Sequence, residues 1–64
     1  MRVIDFVSLG AEDMVYIISQ KGTSVLWQGT RQDFIRELSA FFLLFHRIVT
    51  GFDVKCDDVI VLHV

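Results

Sequence analysis

Few residues in this 64-residue chain have the chemistry to do more than fold. Cys56 is the only thiol, and His46 and His63 are the only imidazoles. A cysteine nucleophile needs a base close by and a stabilised thiolate. His63 lies seven positions on and His46 ten positions back, and neither spacing defines a dyad. Asp57 and Asp58 put negative charge beside any thiolate at Cys56, so the reading is an unreacted small hydrophobe. Asp53, Asp57 and Asp58 lack the alternating ligands and sharp-turn glycine of a calcium loop. No pair of cysteines or histidines has zinc-site spacing. Phosphate-binding glycine loops and serine nucleophile elbows are absent. The sequence therefore assigns no catalytic residue, cofactor or metal.

Composition bounds the rest. Apolar residues make up 53%, charged residues 22%, the net charge is −2 and there is no proline. Disordered chains are less hydrophobic and more charged than this. Length fixes a single domain, residues 1–64, whose core is small and usually needs reinforcement. One cysteine cannot form an intrachain disulfide, which leaves oligomerisation or dense packing. Mild acidity argues against nucleic acid, which demands a basic footprint. The longest apolar run, Ala40 to Phe45, is far short of the ~20 residues a membrane span needs. A lone thiol and an N-terminus without signal-peptide features point to a cytoplasmic setting.

Glycines 10, 22, 29 and 51 divide the chain into elements. Residues 2–9, 14–20 and 23–28 read as strands rich in β-branched and aromatic residues. Gly10 to Asp13 reads as a polar turn and Lys21-Gly22 as a hairpin turn. From Arg31 to Thr50 the apolar period becomes helical, with large residues at 34, 38, 41, 45, 48 and then 52. Thr30 and Asp33 form a capping-box pattern at its start. Gly51 fits the residue after the helix, with Phe52 folding back on the last turn. Residues 53–58 read as an acid-rich loop and 59–64 as a final strand. The predicted fold class is α+β: a β-β-β-α-β two-layer sandwich, one helix on a four-stranded, mostly antiparallel sheet. The last strand is expected to run parallel to strands 2–9 and 23–28 and to pair with one of them.

That architecture has more apolar residues than one helix can cover. Val15 and Ile17 alternate with Tyr16 and Ile18, and Val59, Val61 and His63 alternate with Ile60 and Leu62. Both sheet faces are apolar, and Leu43 falls outside the helix's apolar arc beside Arg36 and Arg47. The candidate interface residues are Val15, Tyr16, Ile17, Trp27, Leu43, Val59, Val61 and His63. Trp27 is read as core, with an interface anchor beside Tyr16 as the alternative. The expected partner is a second copy, a dimer for preference, or another protein.

Asp5, the pair Glu12-Asp13, the run from Val25 to Thr30 and the Val59-to-Leu62 ending together resemble short proteins encoded by bacterial phages and mobile elements. That resemblance implies a non-enzymatic binding protein, such as an accessory protein or an inhibitor of a host defence protein. Two further readings stay open. One is a ligand-binding or enzymatic oligomer with a pocket at the subunit interface, and the other is a structural subunit of a larger assembly.

Overall fold

The protein is described by a computed structural model covering residues 1–10, 13–21 and 23–64. Seven short elements follow one another: α1 (Val3–Ser8), β1 (Val15–Gln20), β2 (Ser24–Thr30), α2 (Arg31–Arg36), α3 (Phe42–Phe45), β3 (Gly51–Cys56) and β4 (Val59–His63). The class is α+β, with a four-stranded mixed sheet in the order β2-β1-β4-β3. The outer pairs are antiparallel and the central β1–β4 pair is parallel.

Residues 2–9 are a helix, not the first strand. Val3 and Val7 stand four positions apart and are both buried, as one helical stripe requires. Asp5 accepts a hydrogen bond from the Arg2 backbone N–H (3.3 Å) at the helix start. A short run of β-branched residues does not separate strand from helix by period alone, and packing decided it here. The hairpin of 14–20 with 23–28 is present, and β2 continues to Thr30. Lys21 takes a left-handed conformation (φ 51°) in its turn. Gly22 of the same turn lies outside the described residues, as do Ala11 and Glu12 of the polar turn.

The long helix expected over residues 31–50 is broken into two. Its start is as read: the Thr30 N–H and hydroxyl each donate to Asp33 Oδ2 (3.0 Å), and the Asp33 N–H donates to Thr30 Oγ1 (3.3 Å). Phe34 and Phe45 explain the break. Eleven residues along a straight helix separate two positions by roughly 16 Å at 1.5 Å per residue. Their rings instead stack with centroids 3.9 Å apart. The chain must fold back between them, and a tightened turn at Leu38 (N–H to Ile35 C=O, 3.4 Å) marks the place. Trp27 meets both rings edge-on, at 5.8 Å and 5.2 Å. Helical periodicity put these residues on one face correctly; mutual aromatic packing cost the helix its continuity.

The expected helix stop is also replaced. Gly51 opens β3 opposite His63, and Phe52 packs on Phe6 of α1 at 5.5 Å instead of folding back on the helix. The acid-rich loop is in fact strand as far as Cys56, leaving Asp57 and Asp58 as the turn into β4. The last strand pairs with neither 2–9, which is helical, nor 23–28, to which it runs antiparallel: its parallel neighbour is β1 and its other neighbour is β3. The element order is therefore α-β-β-α-α-β-β, and three helices take the place of one.

The core lies between the helices and one sheet face. Val3, Val7, Phe34 and Phe45 meet Tyr16, Ile18, Trp27 and Leu62 there, with Val64 beside them. Gly10 is needed for this packing, because a Cβ on it would sit 1.4 Å from the Tyr16 hydroxyl oxygen.

Candidate interaction surfaces

Strand alternation sends two sets of side chains to the two faces of the sheet. Tyr16, Ile18, Leu62 and Trp27 face the helices. Ile17, Ser19 and Val61 face away, and with Val25, Asp53, Lys55 and His63 they line a groove of about 350 Å³. Val15 and Val59 pair directly and are half-buried. Among these outward residues only Val25 is a highly exposed large hydrophobe, while Val61 and Ser19 are buried by their neighbours. His63 Nε2 stands 2.7 Å from Asp53 Oδ2, and its Nδ1 is buried with no hydrogen-bond partner among the described residues. If Nε2 donates to the carboxylate, Nδ1 is left as a buried acceptor.

The exposed apolar residues gather elsewhere. Met1, Phe6, Leu9, Gly10, Tyr16 and Ile60 line a hollow of about 270 Å³ at the α1 side of the helical layer. Phe52 touches Phe6 across its margin, and Val54 pairs with Ile60 on its floor. Both β3 side chains lie on the helix side of the sheet, yet Phe52 is 57% and Val54 61% exposed. Helix side chains pack on core residues of β2, β1 and β4, and Phe6 of α1 reaches Phe52 of β3. A second exposed group, Ile35, Phe42 and Leu43, lies on the helices, with Leu43 the most exposed at 83%.

The sequence-selected residues therefore divide three ways. Val15, Ile17, Val59, Val61 and His63 share the outward face. Tyr16 and Trp27 are enclosed in the core. Leu43 projects from α3. Phe52, Val54, Met1 and Leu9 were missed. Phe52 and Val54 alternate with Asp53 and Lys55, which is a strand signature, but they were assigned to a helix stop and a loop.

Burial raises the Tyr16 phenol above its ordinary value, partly offset by the positive charge of Arg31. Asp33 is held below the usual carboxylate range by the Thr30 backbone hydrogen bond first, then by the Thr30 hydroxyl and by Arg36. Both shifts serve the fold. Cys56 is exposed at the end of β3, and the His46 Nδ1 lies 2.8 Å from the Phe42 carbonyl oxygen. Among the described residues, no three or more His, Cys, Asp or Glu side chains gather as a metal site, and no helix is long and apolar enough to cross a membrane. Comparison with known protein families, curated proteins and solved structures gives no match.

Proposed function

We propose that this chain is a non-enzymatic protein–protein interaction module that associates with itself. The observation that carries this reading is the bare margin of the helical layer. Met1 and Leu9 line one apolar hollow, Phe52 packs on its Phe6 and Val54 pairs with its Ile60, and all four are more than half exposed. Isolated exposed hydrophobes are ordinary on a protein surface, but a contiguous group on so small a domain marks an interface. Covering these four side chains contributes roughly 1–2 kcal/mol each. On two copies that reaches the scale of the association cost, about 4–15 kcal/mol. A standard interface takes about 800 Å² from each partner. The whole surface here is 4145 Å², so an ordinary dimer would alter much of what solvent sees.

Sedimentation velocity across a micromolar concentration range tests the reading. A species of twice the 7.4 kDa chain mass is expected to grow with concentration. A single monomer boundary throughout would refute it.

A second reading has its own observation. The outward groove combines an apolar floor with Lys55, Asp53 and the His63 ring, which suits a small polar ligand. Ligand-induced shifts of the His63 ring resonances, lost in His63→Ala, would favour it. An unresponsive ring across a fragment library would count against it.

A further inference from the structure

We infer that the second copy docks along the free edge of β3, in an antiparallel register centred on Val54. This inference rests on the self-association proposed above and names its interface. Among the described residues β3 is hydrogen-bonded on one side only, to β4, so its other row of backbone donors and acceptors faces outward. An edge of this kind can accept another strand, and two identical strands can do so about a twofold axis.

The side chains of β3 choose both the occupant and the register. Antiparallel self-pairing with Val54 on the axis sets Asp53 opposite Lys55 of the partner subunit, and Lys55 opposite the partner's Asp53. Two opposite-charge pairs form at once, both on the outward face, where Asp53 and Lys55 already lie together. Moving the register so that like residues meet at 53 or 55 would put like charges opposite each other. On the helix side, Val54 meets the partner's Val54, and the exposed Phe52 of each copy stands two positions along the strand. The strand is thus complementary to itself in charge and in apolar surface. The other edge, β2, has no such device: Ser24–Thr30 contains no charged residue, and its largest side chain, Trp27, is already buried in its own core. A one-residue bulge at Lys55 offsets β3 against β4. It keeps the new ladder short, in keeping with a reversible dimer.

Sedimentation equilibrium on the full chain tests this with Asp53→Lys and Lys55→Asp, each alone and in equimolar mixture. Each variant alone turns two attractive pairs into two repulsive ones, so its dimer dissociation constant is expected to rise about tenfold or more. In the mixture every pair is again opposite in sign, and a heterodimer near wild-type affinity is expected. If the wild type is a monomer, the inference and the self-association reading both fall. If the wild type dimerises and the single variants are unaffected, or the mixture fails to recover, the β3 register falls and self-association stands. Asp53 also contacts His63, so circular dichroism checks that each variant is folded. Val54→Cys in a Cys56→Ser background adds a readout independent of charge. Directly opposed residues sit about 4.5–5.5 Å apart at Cα, within disulfide range. A disulfide-linked dimer under mild oxidation is expected, and a folded variant that stays unlinked overturns the register.

Discussion

The two ends of this sheet are built differently. Over β2 and β1 the helical layer is closed by aromatic contacts: Trp27 edge-on to Phe34 and Phe45, those two rings stacked, and Phe41 stacked on Phe45 at 5.7 Å. Over β3, among the described residues, a single ring, Phe6, reaches Phe52. The same kinds of side chain are buried at one end and left wet at the other. The cause is chain economy: folding 31–50 back into two short helices completes the aromatic cluster, and neither of these helices continues across β3. The closed end holds the domain together, and the open end is free to bind.

Mutations separate the two ends. At the closed end, Phe45→Ala removes the ring shared by Trp27, Phe34 and Phe41. It is expected to cost about 3–5 kcal/mol. A domain of this size has only about 3–10 kcal/mol to lose. Urea unfolding measures it, and a cost under about 1 kcal/mol would break the contrast. Next is the join between α1 and the sheet. Gly10→Val forces a side chain onto the Tyr16 hydroxyl, and a loss of about 1–3 kcal/mol is expected. Tyr16→Phe should recover part of that loss, a coupling that a double-mutant cycle reads. Because burial raises the Tyr16 phenol, stability is full below its ordinary value of 10.0 and declines as pH climbs from there through the raised value.

Thr30→Ala removes half of the capping box at the start of α2, for about 1 kcal/mol. The depressed Asp33 carboxyl stabilises the fold above its ordinary value of 3.8, and that contribution is lost as pH falls through the lowered value. Thr30→Ala should flatten this acid-side slope in pH-dependent melts. The smallest effect on the fold is expected at the open end. Phe52→Ser and Val54→Ser should change monomer stability by about 0.5 kcal/mol or less, yet weaken association in sedimentation. A large loss of monomer stability would show that β3 belongs to the core.

What could be read from the sequence followed from local chemistry. The Thr30–Asp33 cap, the β1–β2 hairpin and the strand ending at His63 rest on neighbouring residues and appeared where expected. The misreadings were competitions that only tertiary packing settles. Val3, Ile4, Phe6 and Val7 satisfy a strand by type and a helix by spacing, and burial of Val3 with Val7 chose the helix. A run of helical period from Phe34 to Phe52 gave no sign that Phe34 and Phe45 would stack on each other. Ending the helix at Gly51 then concealed β3, and with it Phe52 and Val54. The surplus of apolar residues was legible from composition, but its location was not. It depends on which strand the helices leave bare.

Backbone hydrogen exchange at two concentrations tests the central claim most directly, because it reads each strand edge separately. On going from dilute to concentrated protein, the outward-facing amides of β3 are expected to slow, most of all around Val54, while those of β2 keep their rates. Concentration-independent exchange along β3, or protection that grows on β2 instead, would contradict the assignment of the open end as the binding surface.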